Sequence, residues 1–282
     1  MHAVNVSIKA ESYHLVITST ANSRVRKIRD QLREGWPDSR GRVLVEGPKL
    51  IAEAIKSKLA IDSIYVKENK RQLDHLTGLF KGLKADRPEV VELAEKAFNS
   101  ISSTETPQGI LALVFIPEWR IERILTRESL LIFAYQLQDP GNLGTLIRSS
   151  EAFGADAVIL SSNSVNPFNS KAIRASAGSV FRVPSFPGFD PQELLKLLKS
   201  KHYRLYATSP ERGKAFRDID FRGRVALILG NEARGLDSIV LDLVDDLMTI
   251  PIASSVESLN VSVASSIILC HAAEQRRVFL KH

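Results

Sequence analysis

The chain has 282 residues, 44% hydrophobic and 25% charged, a formal net charge of +6 and one cysteine. That length suits two packed units, each able to bury its own core, and the composition excludes disordered and fibrous classes. No apolar run approaches the roughly 18 residues of a membrane helix, and neither disulfide nor metal-ligand spacing is present, so no membrane partner and no metal are expected.

Met1 to Glu11 lacks an apolar stretch with a small-residue cleavage site, which points to a cytoplasmic protein. The positive charge is uneven. Residues 1–127 hold 21 Lys/Arg against 16 Asp/Glu, and residues 128–282 hold 17 against 16. An excess of cations in front favours a polyanionic partner, of which nucleic acid is the commonest in cytoplasm, although many basic surfaces are only solvated faces.

Thr18 to Arg33 contains STANSRVRKIRDQLR, a helix with Asn22 or Ser23 as N-cap and Val25, Ile28 and Leu32 facing a core. Its cations then face solvent, which suits phosphate contact and equally suits a plain soluble helix. A strand follows at Arg42–Gly47, a helix at Pro48–Lys58 opened by its proline, and a strand at Ile61–Val66. Glu89–Glu92, a helix from Ala94, and Gly109–Val114 complete a small α/β layer unit. Pro117 ends it, and residues 118–128 read as a linker that packs partly as a helix.

From Leu130 the apolar runs sharpen: Leu130–Leu137, Ala157–Leu160, Tyr203–Ala207, Val225–Leu229 and Leu247–Ile250, with helical segments between. Near-continuous apolar strands alternating with helices predict a parallel sheet covered on both faces. Residues 161–170 are the most loop-like stretch, and Cys270, within an apolar helical run, reads as a buried helix residue rather than a nucleophile.

Ligands of open α/β sheets collect beyond the carboxyl ends of the strands, and three segments stand there. Gln138-Asp139-Pro140-Gly141-Asn142-Leu143-Gly144 precedes a helix carrying Arg148, so that Asn142 and Arg148 are expected to reach over one strand end. The second is Leu229-Gly230-Asn231-Glu232-Ala233-Arg234-Gly235-Leu236. The third runs from Ile250-Pro251-Ile252 to Glu257-Ser258-Leu259-Asn260, a loop with few side chains that suits a flat adenine. Each alone is also an ordinary turn: Ser258 is a plausible cap for the last helix, and Glu232 at a helix start would stabilise its dipole by roughly 0.3–1 kcal/mol. The absence of GxGxxG, GxxxxGK[ST] and GxSxG removes the anchors of dehydrogenases, P-loop ATPases and α/β-hydrolases.

In order and spacing, DPGNLGTLIRSSEAFGADAVIL, LILGNEARGL and IPIASSVESLNVSVASSIIL resemble the three motifs of the SpoU-type (TrmH-like) branch of the SPOUT RNA methyltransferases. RVLVEGPKLIAEAI and STETPQGILALV are similar, more loosely, to that family's ribosomal-protein-like substrate-binding domain. The resemblance implies an RNA substrate-binding domain over residues 1–117, whose first 12 residues are an unplaced tail, a linker at 118–128, and a catalytic domain over 129–282. It further implies a trefoil knot at the carboxyl end, a homodimer whose interface completes the site, and S-adenosylmethionine as cofactor.

By position, the resemblance assigns Gly230, Ile250 and Leu259 to the methyl donor, with Thr208 lining the pocket. It assigns Asn142, Arg148, Glu232, Ser258 and Asn260 to the reaction site. The activity implied is methylation of a ribose 2′-hydroxyl, in ribosomal RNA before transfer RNA, with DNA not expected as a partner. Guanidinium groups are poor general bases, so Arg148 is expected to stabilise the developing alkoxide or to grip a neighbouring phosphate. Base methylation, a transfer RNA substrate and a non-catalytic RNA-binding or ribosome-assembly role are the alternatives.

Overall fold

The computed structural model describes residues 16–68, 88–253 and 255–276; the tail expected at residues 1–12 lies outside them. Helix α1 (Ser23–Glu34) starts where Asn22 accepts a hydrogen bond from the Arg24 N–H at 2.9 Å. It stops at Gly35, whose φ of 68° is one that glycine adopts without strain. Val25 and Ile28 are buried, as their spacing predicts.

The front unit continues through β1 (Arg42–Glu46), α2 (Pro48–Lys56), β2 (Ile61–Lys67), β3 (Glu89–Leu93), α3 (Glu95–Asn99) and β4 (Ile110–Phe115). Its sheet is ordered β1-β4-β2-β3, with β4 antiparallel to both neighbours and β2 parallel to β3. The expected linker carries the short helix α4 (Ile121–Leu125).

The back unit alternates: β5 (Leu130–Ala134), α5 (Pro140–Ala152), β6 (Ala157–Ser161), α6 (Ser170–Ala175), β7 (Ser185–Phe189), α7 (Pro191–Ser200), β8 (Arg204–Thr208), β9 (Lys214–Ala215), β10 (Val225–Leu229), α8 (Ser238–Leu241), β11 (Asp246–Thr249) and α9 (Val261–Gln275). Among the described residues these strands form one sheet ordered β7-β6-β5-β10-β8-β11-β9, every pairing parallel. All five predicted strands are present, and β7 and β9 are added at the two edges. The first predicted run is cut short at Ala134 because Gln136 turns to φ 51°, a left-handed conformation outside any strand.

Side chains of β5 alternate between two cores, as the strand period requires. Leu130, Ile132 and Ala134 join Leu146 and Ile147 of α5 and Ile268 and Leu269 of α9, whereas Leu131 and Phe133 join Leu194 and Leu198 of α7 and Val240 of α8. Cys270 lies in α9 but is half-buried rather than buried.

One apolar cluster spans both units, while each also keeps one of its own, with Val25, Leu44 and Phe98 in front and Phe133, Leu194 and Leu205 behind. Val43, Val45, Ile64 and Val114 of the front sheet belong to the same apolar cluster as Ile132 and Leu146 behind. Polar contacts reinforce that junction: Asn166 Nδ2 donates to the Gly35 carbonyl at 2.8 Å, Arg174 of α6 donates to Ser103, and Arg182 meets Glu53 of α2 at 3.1 Å while also pairing with Glu151 of α5. The two units are therefore divided by sheet, with part of the hydrophobic interior shared between them.

Candidate active site at the carboxyl ends of the parallel strands

Strands β5, β10, β8 and β11 are neighbours, so their carboxyl ends place three loops side by side. Asp139 opens α5 by accepting from the Asn142 N–H at 2.7 Å, and Pro140 follows at a position that needs no donor. That capping fixes Asn142 in the first turn with its amide free to face the other loops.

Asn142 Nδ2 donates to Glu232 Oε1 at 3.1 Å, and its Oδ1 accepts from Asn260 Nδ2 at 2.9 Å. One side chain thus joins all three segments. Asn260 is held in turn by its own backbone role: its Oδ1 caps α9, accepting from the Ser262 N–H at 2.9 Å and the Ser262 hydroxyl at 2.6 Å. Asn260, and not Ser258, is the cap of that helix.

The loop bearing Glu232 is a tight one. Asn231 and Gly235 exchange two backbone hydrogen bonds of 2.9 Å, and Asn231 Oδ1 accepts from the N–H groups of Ala233 and Arg234. A Cβ on Gly230 would stand 2.7 Å from the Gly235 backbone, so glycine is required for this closure. Glu232 does not begin a helix; α8 starts at Ser238 with Asp237 as its cap. The helix-dipole explanation for Glu232 is thereby replaced by its contact with Asn142.

Behind the loop, the Tyr135 hydroxyl donates to Asp237 and accepts from Gln136 Nε2 at 2.8 Å. Burial and the adjoining Asp237 carboxylate push the Tyr135 phenol up to about 12, so it stays a donor at physiological pH. The Gln136 carbonyl, turned by its left-handed backbone, accepts from Asn231 Nδ2 at 2.7 Å.

Gln136, Gln138, Asp139, Asn142 and residues 231–234 line an open cleft of about 670 Å³, within the size range of ligand sites. Lys171 of α6 lies at its rim, with Nζ 3.4 Å from Asp139 Oδ2. The Asn142 N–H first, and Lys171 after it, hold the Asp139 carboxyl below its usual range.

The remaining candidates are spread around this centre. Thr208, Gly230 and Ile250 stand at or just after the ends of β8, β10 and β11, each half-buried, with Leu259 half-buried beside Asn260. Ser258 is exposed. Arg148 is exposed farther along α5, and among the described residues it makes no hydrogen bond or ion pair with Asn142, Glu232 or Asn260. At about 1.5 Å per residue, six residues put it roughly 9 Å down the helix from Asn142. Asp139, Gln136 and Asn231 were not among the sequence candidates, although Asp139 before Pro140 carries a helix-start signature and Asn231 is a turn former. Among the described residues no cluster of His, Cys, Asp and Glu is arranged to hold a metal, and no helix is long and apolar enough to cross a membrane.

The profile of the SpoU rRNA Methylase family matches residues 129–270, the whole of the parallel sheet and its loops. The chain belongs to the SpoU rRNA methylase family. An MRM3-like substrate binding domain matches residues 22–112 in front of it, as the charge distribution and the looser strings there anticipate.

Two relatives set the scale of similarity within the SpoU family. The chain is 37% identical over 234 residues to the 23S rRNA (guanosine(2553)-2′-O)-methyltransferase RlmP of Bacillus subtilis, covering 81% of this chain and 87% of that one. It is 28% identical to the 23S rRNA (guanosine-2′-O-)-methyltransferase RlmB of Ralstonia nicotianae, covering 85% and 98%. An rRNA methyltransferase from Sinorhizobium meliloti, solved with S-adenosylmethionine bound, superposes with a TM-score of 0.78 at 27% identity over 94% of this chain and 98% of that one.

Proposed function

We propose that this protein transfers a methyl group from S-adenosylmethionine to a ribose 2′-hydroxyl of ribosomal RNA. The observation that carries the reading is the joining of the three strand-end segments through Asn142, Glu232 and Asn260, on a chain that belongs to the SpoU family. Named relatives act on 23S rRNA, which favours ribosomal over transfer RNA. A cytoplasmic location belongs to the same reading, because that is where such a substrate is met.

The residues present fit the methyl donor. Thr208, Gly230 and Ile250 mark three adjacent strand ends, Gly230 lets the loop after β10 close on Gly235, and Ile250 and Leu259 offer apolar surface for an adenine. When bound there, the sulfonium supplies a methyl group already activated for transfer. The protein therefore has mainly to align and polarise the hydroxyl. Asn142 and Ser258 orient the ribose, and Asn260 holds the donor-side loop by its bonds to Asn142 and to the start of α9. Glu232 fixes the amide of Asn142 so that its polar atoms face the cleft. As the ribose oxygen gains the methyl carbon, the carbon–sulfur bond would break and the sulfur leave as a neutral thioether; the ribose proton leaves to a phosphate oxygen or water, and Arg148 stabilises the charge that develops.

Arg148 has to reach the site from an exposed position, and the reading assigns that to a homodimer. Ser149, next to Arg148, hydrogen-bonds Ser266 of α9 at 2.7 Å, and α9 leaves Val263 48% and Ile267 36% exposed. Four residues apart, these two share a helix face, and a second copy covering it brings an Arg148 to the opposite cleft. A trefoil knot at the carboxyl end is part of the same proposal, supported by the insertion of β10 between β5 and β8 and the return of α9 onto α5. So is the division into a substrate-binding domain, residues 1–117, and a catalytic domain, residues 129–282, supported by the two sheets.

The decisive experiment incubates purified protein with labelled S-adenosylmethionine and unmodified 23S rRNA or transfer RNA, followed by nucleoside analysis. A 2′-O-methylated nucleoside from 23S rRNA is expected. A methylated base, or label in transfer RNA alone, would overturn the assignment.

A further inference from the structure

Trp36 keeps 47% of its surface exposed, and among the described residues it is the one aromatic side chain open to solvent to that degree; Trp119 packs against the core. Full burial of a large aromatic is strongly favourable, so an exposed one on an anchored segment calls for an explanation. The segment is anchored by hydrogen bonds on both sides. Before Trp36, the Gly35 N–H closes α1 on Gln31 at 2.9 Å and the Gly35 carbonyl accepts from Asn166 at 2.8 Å. After it, Pro37 fixes the backbone, and Asp38 is tied to Arg42 by its N–H at 2.9 Å and by two carboxylate bonds of 2.8 and 2.6 Å.

Its location follows from a chain of contacts. A Cβ on Gly35 would lie 3.3 Å from Asn169 Nδ2, and Asn169 caps α6 through the Lys171 N–H at 2.9 Å. Lys171 then reaches Asp139 at the rim of the candidate active site. Trp36 therefore stands where the front unit meets the catalytic cleft. Arg33, in the last turn of α1, is exposed and has no ion-pair partner among the described residues, and Lys171 supplies a second cation.

We propose that Trp36 is a stacking platform for an unpaired RNA base next to the methylated nucleotide, with Arg33 and Lys171 holding the adjoining phosphates. The inference rests on the reading of this protein as a ribosomal RNA methyltransferase. Sequence-specific recognition of RNA targets loops and bulges, whose splayed bases are captured on aromatic faces. A preset indole loses little freedom on doing so.

The test measures binding of an unmodified 23S rRNA transcript to the full chain, to Trp36→Ala and to Trp36→Phe, with tryptophan fluorescence read in parallel. Trp36→Ala should weaken RNA binding roughly 5- to 150-fold, leaving affinity for S-adenosylmethionine and the melting temperature unchanged, while Trp36→Phe recovers most of the loss. RNA should quench the emission of the wild type and leave that of Trp36→Phe, which reports Trp119 alone, largely unaltered. Undiminished binding by Trp36→Ala would overturn the platform and leave the function reading standing. A wild type that does not bind the transcript would overturn both. Loss of donor binding in Trp36→Ala, or a change in its oligomeric state, would make the residue a structural or subunit contact instead.

Discussion

Glu46 and Glu232 are both carboxylates at the end of an apolar strand, one in the front sheet and one in the back, and their surroundings differ throughout. Glu46 is 8% exposed and accepts from the hydroxyls of Ser102, Ser103 and Thr104 and from the Ser103 N–H, at 2.5 to 2.8 Å. Burial alone would raise its pKa, but these donors outweigh burial and hold the carboxyl below its usual range. Glu232 is exposed and accepts one hydrogen bond, from Asn142 at 3.1 Å. A carboxylate with every lone pair occupied serves the fold. One with most of its lone pairs open has capacity left for a substrate.

Substitutions at four residues sharpen or break that contrast. Arg148→Ala removes the charge proposed to stabilise the transition state, so kcat should fall by roughly 10² to 10³ with the melting temperature unchanged; wild-type turnover in a methyl-transfer assay would remove Arg148 from the mechanism. Glu46→Ala leaves four half-buried donors without their acceptor and should cost on the order of 3 kcal/mol in a urea titration, with methyl-donor affinity retained. Because its folded pKa is depressed, the stability Glu46 contributes is fully present above the unfolded carboxylate pKa of about 4.3 and is lost as pH falls through the lower folded value. Glu46→Gln should therefore flatten the acid limb of the stability profile.

Glu232→Gln should lower turnover by roughly tenfold, about 1.4 kcal/mol, and leave stability untouched; a loss of stability equal to that of Glu46→Ala would erase the distinction between the two sites. Asn260→Ala deletes the cap of α9, at about 1 kcal/mol of stability. It should also raise KM for the methyl donor, since the loop it holds borders the donor's strand ends.

Legibility in the sequence followed the same division. The five interior strands of the back sheet were readable because each is a short run of apolar residues bounded by turn formers. The edge strands were not: Ser185–Phe189 contains Pro187 and Gly188, which disqualify it by pattern although an edge tolerates them, and Lys214–Ala215 is too short to leave a pattern at all. Asn142, Glu232 and Asn260 are legible in the three motifs and are in contact. Arg148 was expected over the same strand end as Asn142, and the helix carries it away instead. Nor does any local pattern reveal that the interior runs unbroken from Val43 to Ile132, since that is set by how α6 seats on the front sheet.

The place of β10 bears on how the chain is made. Val225 pairs with Leu130 on one side and Arg204 on the other, so the middle of the back sheet is filled by one of its last strands to leave the ribosome. At roughly 5–20 residues per second of synthesis, β5, with β6 already beside it, waits several seconds with one edge bare. Its run of five buried apolar residues, without charge or proline, is the kind of segment that pairs with a neighbouring chain when left open. Faster translation between residues 135 and 229 should therefore shorten that exposure, and holding chaperones should matter most there.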